Sequence, residues 1–361
     1  MGRTVTRAVP LVGVLGLLAG SLTPGHHAWA QDAADAPETE YSAIVPMATK
    51  ALLLDAAKVD GRIVAVGDYG IVLISADEGQ SWSQSRVPTR SMLTGVWFHN
   101  AELGWAVGHD ATVLKTTDGG ATWRVVNFQP DLLLPLFDVW FADESNGMAV
   151  GPYGFVLKTT DGGESWEESS LDAEVLAGSE DVAEEDDSSV AGEEGDQFWE
   201  EDFSGGGDFH LNKIVEAVDG RLYITAEAGH VYRSDDKGQS WVSLPSDYAG
   251  SFFGALALPE GDLLVFGLRG NMFRSSDRGE TWRQIETPVE TSLNEADIMA
   301  DGAIVVVGMS GTILVSRDGG ESFDLVQRED RKAMTNVIAT GNEELILFGE
   351  GGIVHLGRAE L

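Results

Sequence analysis

The chain is 361 residues long, 43% hydrophobic and free of cysteine, with 59 acidic against 23 basic side chains and a formal charge of −36. So negative a surface repels nucleic-acid phosphates and anionic lipid headgroups and sets both aside as partners. The absence of cysteine excludes disulfides, thiolate metal sites, cysteine nucleophiles and acylation of an N-terminal cysteine.

At the start of the chain, Arg3 and Arg7 precede a short apolar run over 8–20, and Ala28-Trp29-Ala30 supplies a small-x-small pattern before Gln31. This order predicts a cleavable export signal over 1–30, cut after Ala30. Thirteen residues fall short of the roughly 20 needed to span a bilayer. The mature chain, at −38 once Arg3 and Arg7 are removed, is therefore expected to be periplasmic or secreted, with no membrane insertion. Residues 31–40 read as a linker, and Tyr41 to Met47 (YSAIVPM) as strand-like.

From there to residue 357 a repeat organises the sequence. The pattern [ST]-x-D-x-G-x-[ST]-[WF] recurs six times, with its aspartates at Asp77, Asp118, Asp161, Asp236, Asp277 and Asp318. Their spacings are 41, 43, 75, 41 and 41 residues, so the long gap is one period plus an insert. Upstream of each box lies a β run, a tight turn and a second β run, as in AVGDYGIVLI (65–74) and VVGMSGTILV (306–315). A seventh such unit, LFGEGGIVHL (347–356), has no box. Four short strands per period of about 40 residues indicate propeller blades. The expected fold is all-β: a seven-bladed propeller over 41–357. Its last blade has three strands of its own, and Tyr41 to Met47 is expected to supply the fourth and close the ring.

The boxes sit between the third and fourth strands of each blade. A short carboxylate there can accept bonds from turn amides, and the following glycine admits positive φ. Six copies in equivalent places indicate a fold device, since a catalytic site needs one asymmetric constellation. No metal and no cofactor are expected from them.

The boxes are similar to the bacterial-neuraminidase-type repeats of sialidases. The units over 93–123 (LTGVWFHNAELGWAVGHDATVLKTTDGGATW) and 136–166 (LFDVWFADESNGMAVGPYGFVLKTTDGGESW) more closely resemble photosystem II assembly factors of the Ycf48 type. The resemblance covers nearly all of 41–357, mostly at scaffold positions. It implies a non-enzymatic, exported seven-bladed propeller that helps assemble a membrane-protein complex. It also implies an arginine-rich docking surface, whereas Arg269 is the one arginine among this chain's inner turns. The expected partner is a protein, in a membrane complex that need not be a photosystem and could be an envelope transporter. The chain is expected to be a monomer.

Candidate recognition residues lie in the turns between second and third strands, on the face opposite the boxes. They are Asp68, Tyr69, His109, Asp110, Tyr153, Glu227, Arg269, Ser310 and Glu350. The loop 129–136 (QPDLLLPL) offers Leu132, Leu133 and Leu134 either as a partner patch on that face or as the start of the next inner strand. The insert, residues 172–208, holds 15 acids and no Lys or Arg, and is expected to be largely disordered. Phe198, Trp199 and Phe203 interrupt its acids, as suits docking on a basic, partly apolar groove or tacking back onto the propeller.

Two further classes are weighed. A glycan- or ligand-binding propeller would use Tyr69 or Tyr153. A sialidase-like glycosidase would need an arginine triad, a tyrosine nucleophile and an acid/base aspartate. The F/Y-R-I-P motif of sialidases is missing, the arginines fall mostly near boxes or in outer strands, and no G-x-S-x-G, H-E-x-x-H or phosphate loop occurs. Catalysis is therefore not expected.

Overall fold

The computed structural model describes residues 40–171, 173–175, 209–341 and 344–361. They form seven antiparallel sheets in sequence order, spanning 53–85, 93–127, 138–169, 211–245, 252–285, 293–327 and 334–357, here blades 1 to 7. Each inner strand packs beside the inner strand of the next blade, and that of blade 7 beside that of blade 1, giving a closed ring. The seven-bladed all-β propeller read from the repeat is the fold of the chain. Among the described residues, no helix is long and apolar enough to cross a membrane.

The strands alternate in the way a radial blade requires. Both faces of a second or third strand meet neighbouring blades, so these strands are buried almost throughout, as in Leu263–Gly267 and Ile304–Gly308. The core is accordingly divided into seven apolar clusters among the described residues, one at each junction. Val64, Leu93 and Leu114 belong to the junction of blades 1 and 2, and Ile63, Ile346 and Phe348 to that of blades 7 and 1.

The ring does not close by strand donation. Blade 7 has three strands, Met334–Ala339, Glu344–Gly349 and Val354–Gly357, and Tyr41 to Met47 does not join it. That segment runs instead along the end of blade 1. Ser42 N donates to Val87 O at 2.9 Å, Val87 N returns to Ser42 Oγ at 3.0 Å, and Gln84 binds Val45 N and Ala43 O. The Arg86 guanidinium also lies 4.6 Å from the centre of the Tyr41 ring. These contacts outcompete the distant edge of blade 7.

The seam is held by the lateral contact used elsewhere in the ring. Thr94 Oγ1 donates to Leu136 O, Asn212 Nδ2 to Phe252 O and Asn294 Nδ2 to Met334 O, each onto the next inner strand. Thr335 Oγ1 repeats this bond to Leu53 O at 2.7 Å. Ile353 N also donates to Thr49 O, and Trp82 meets Phe348 edge-on at 6.0 Å. The backbones approach closely here: a Cβ on Gly352 (φ +71°) would lie 2.1 Å from Thr49 O.

Blade 4 carries a fifth strand. Ala173–Val175, inside the segment expected to be disordered, pairs in parallel with the outer strand Trp241–Pro245. The export signal and residues 31–39 of the linker, together with Phe198, Trp199 and Phe203, lie outside the described residues.

Candidate functional site

The two ends of the sheets differ. At one end lie the boxes, where each aspartate is committed to its own turn. In blade 1, Ser75 Oγ donates to Asp77 Oδ1 at 2.7 Å and accepts from Gly79 N. Ser81 contributes its N–H to Oδ1 and its hydroxyl to Oδ2. The same set recurs at Asp118, Asp161, Asp236, Asp277 and Asp318. Bonds from Ser81 and Ser322 hold the carboxyls of Asp77 and Asp318 down at about 2. The glycine after the aspartate lets this turn abut the previous blade. A Cβ on Gly79 (φ +89°) would fall 2.1 Å from Ile346 Cδ1.

At the other end six turns share one backbone shape. Two successive residues adopt left-handed φ, as type I′ hairpin turns require. The apex residues are Tyr69, Asp110, Tyr153, Ala228, Arg269 and Ser310, with φ between 52° and 60°. A side chain in this region costs on the order of 1 kcal/mol over glycine, and the box turns carry the same conformation at Glu78, Lys237 and Arg278. Tyr69 and Tyr153 are 71% and 65% exposed. Tyr153 meets the His210 ring edge-on at 4.8 Å.

The remaining turn residues divide. Asp68 binds its neighbour Tyr69 N, and Asp110 accepts from Ser91 Oγ at 2.9 Å. His109 is exposed beside it. Glu227 stands one residue before the apex and turns back onto His210, accepting its N–H at 3.1 Å. Glu350 likewise accepts from Ala333 N. In the loop before blade 3, Leu134 packs among blades 2 and 3, whereas Leu132 is 38% and Leu133 81% exposed. Leu134 thus packs inside, ahead of the inner strand that begins at Asp138, and Leu132 and Leu133 stay exposed.

A second constellation, not picked out from sequence, lies on the propeller axis. Each inner strand is entered through one structurally equivalent position: Asp55, Gly95, Asp138, Lys213, Gly254, Glu295 and Asn336. At six of these a bulge follows the strand's first residue, as between Leu53 and Asp55. Lys213 Nζ stands 3.0 Å from Glu295, 3.7 Å from Asp55 and 3.9 Å from Asp138. Asp55 Oδ2 also accepts from Val96 N, and Asp138 Oδ2 from Ile214 N, each on the following blade present at that junction. Burial, resisted by the Lys213 ammonium, pushes the Asp138 carboxyl up to about 6. Burial also raises Glu295 and Asp297. For Lys213 burial opposes the charge, but Asp138, Asp55 and Glu295 outweigh it and hold its pKa well above the ordinary value. Among the described residues, no group of three or more His, Asp or Glu could hold a metal ion.

Comparisons with known proteins agree with the resemblance read from the repeat. Residues 75–134 match the family model described as photosynthesis system II assembly factor YCF48. The photosystem II assembly protein Ycf48 of Synechococcus sp. (strain JA-3-3Ab) is 34% identical over 70 residues, 18% of this chain and 21% of that protein. The chain is thus aligned with about a fifth of that relative's length. The solved structure of YCF48 bound to D1 peptide superposes with a TM-score of 0.63 at 18% identity, covering 87% of this chain and 95% of that one. YCF48 from Cyanidioschyzon merolae gives 0.63 at 14%, over 89% and 99% of the two chains. Streptogramin B lyase gives 0.64 at 11%, over 88% and 96%. At these identities the structures establish the fold, and a fold shared with a lyase does not decide function.

Proposed function

We propose that this chain is an exported, non-catalytic propeller that binds a protein, a component of a membrane complex under assembly, through the face bearing the turns between second and third strands. The distribution of exposed apolar side chains carries this reading. At the turn end stand Met47, Tyr69, Phe128, Leu133, Tyr153 and Met309, each more than 40% exposed. Among the described residues the box end offers Val218 at comparable exposure, and Ile44, 58% exposed, lies beside Gln84 on the outer edge of blade 1. Scattered exposed apolar residues are ordinary, whereas their concentration on one end of a rigid ring suits a binding surface.

The match of residues 75–134 to an assembly-factor family supports the assembly role, and a neighbour of the same fold is described with a bound D1 peptide. Export rests on the signal read over 1–30, which also accounts for a partner reached from beyond the membrane. The varied, left-handed turn apices suit recognition, because the scaffold fixes their backbones and leaves the side chains free to be chosen.

The test is affinity purification of the tagged, processed chain from its own cells, with bound proteins identified by mass spectrometry. One membrane complex is expected with the wild type and with Val218→Ser. The double variant Leu133→Ser/Tyr153→Ser should lower its recovery roughly tenfold, the equivalent of about 1.4 kcal/mol. Equal recovery with the double variant would reject the face.

A further inference from the structure

Two neighbouring junctions of the ring are built on the same repeat, yet one is filled at its box end and the other is not. Between blades 2 and 3 the fully buried Trp105 indole donates from Nε1 to Gly162 O at 3.2 Å. It also stacks on Phe141, with ring centres 3.5 Å apart. Beside it, Lys115 Nζ is answered by Glu164 Oε1 at 2.9 Å. One blade further on, the repeat puts Met148 in the place of Trp105, Glu216 in that of Phe141 and Lys158 in that of Lys115. From the box of blade 4 it brings Lys237 for Gly162 and Gln239 for Glu164.

These exchanges have two effects. The first is room: a crevice of about 160 Å³ remains between blades 3 and 4, with Met148, Lys158, Lys237 and Gln239 among its walls. A cavity of about 150 Å³ holds one six-membered aromatic ring, and a thioether makes favourable contact with such a ring. Glu216 does not fill the space. It lines the axial cavity instead, where it accepts from Trp140 Nε1 at 3.1 Å. The second effect is unanswered charge. Among the described residues Lys158 forms no hydrogen bond or ion pair, not even with Glu167, its neighbour across the strands. Gln239 offers it no charge. Lys237 adds a second ammonium to the crevice, with Asp143 as its electrostatic neighbour.

We propose that the crevice between blades 3 and 4 binds a small aromatic carboxylate. Its ring lies against Met148, in the space that Trp105 and Phe141 fill one junction earlier, and its carboxylate meets Lys158 and Lys237 as Glu164 meets Lys115. The filled junction carries, as parts of the chain, the two groups that the ligand brings to the open one. An inorganic anion would leave the apolar space empty, and an aromatic amine would meet two ammonium groups. The site lies at the box end, so it stands or falls separately from recognition by the turn face.

Calorimetric titration of the processed chain with phenylacetate, phenethylammonium and acetate tests this. One equivalent of phenylacetate should bind saturably, the amine should not bind, and acetate should bind at least roughly tenfold more weakly. Lys158→Met removes a side chain with no bonds to lose and should weaken phenylacetate roughly tenfold, the loss of one charged hydrogen bond. Met148→Trp restores the indole of the neighbouring junction and should abolish binding. For the wild type, NMR on methyl-labelled protein should connect the phenyl protons to the Met148 methyl group, a readout that does not depend on either variant folding. Absence of saturable phenylacetate binding would overturn the proposal. So would equal binding of the amine or of acetate, undiminished binding in either variant, or binding without contact to the Met148 methyl group.

Discussion

Replacing Lys213 with methionine keeps the length of the side chain and removes the one ammonium within 4 Å of three carboxylates. Its contacts of 3.0, 3.7 and 3.9 Å correspond to about 4–6 kcal/mol each at an effective dielectric of about 20, before the desolvation of Lys213 is subtracted. That desolvation amounts to several kcal/mol, and removing one partner of a buried pair typically costs about 3–5 kcal/mol net. For a domain of this size the loss lowers Tm by roughly 6–12 °C near neutral pH. The pH dependence is the sharper part. In the variant, Asp55, Asp138 and Glu295 face one another without a countercharge, so the folded chain takes up protons more readily than the unfolded one. Stability is then regained as pH falls, and the deficit should shrink markedly between about pH 7.5 and about pH 4.5. Thermal melts followed by circular dichroism at both pH values provide the assay. A deficit that is equal at the two pH values, or a shift under about 2 °C at neutral pH, would refute the axial electrostatics.

Other consequences follow from the same geometry. With its folded pKa raised from 3.8 to about 6, Asp138 favours the native state below its unfolded value and withdraws that support as pH climbs through this window. The Asp138→Asn variant should therefore have a flatter Tm profile between about pH 4 and pH 6 than the wild type. The box aspartates have the opposite sign: Asp77 and Asp318, lowered to about 2, stabilise above the usual carboxylate range and lose this only in stronger acid. Ser234 is 1% exposed, donates to Asp236 and accepts from Gly238 N. Ser234→Ala strands the buried Gly238 N, while Asp236 keeps its bonds from Gln239 and Ser240, and should cost about 1–3 kcal/mol in chemical denaturation. Gly352→Ala adds a methyl group 2.1 Å from Thr49 O at φ +71°. It should loosen the seam by about 1–3 kcal/mol of backbone strain alone and expose residues near Thr49 to limited proteolysis.

The period of the boxes made the propeller legible, because each box places a polar loop, a glycine and an aromatic ring at one blade corner. Ring closure was less legible. YSAIVPM carries a strand-like pattern, but pattern does not name the edge it meets, and Gln84, Arg86 and Val87 of blade 1 outcompeted the far end of the chain. The positions of the turns between second and third strands were read to within a residue. At blade 4 the apex is Ala228, which has little side chain to notice, and the neighbouring Glu227 was taken in its place. The axial cluster went unread for a different reason. Asp55, Lys213 and Glu295 each look like surface charges within their own strands. They become a set only when the repeats are aligned on Leu53, Leu93, Leu136, Leu211, Phe252, Leu293 and Met334, which recur with nearly the same intervals as the boxes.

Site-specific photocrosslinking tests the central claim most directly. A benzophenone amino acid is placed at position 133, on the face of the turns between second and third strands, or at position 218, at the box end, and the processed protein is irradiated in its own cells. Position 133 should crosslink to one subunit of a membrane-protein complex, and position 218 should not. Crosslinking to the same subunit from position 218 but not from 133, or from neither position, would contradict recognition through the turn face.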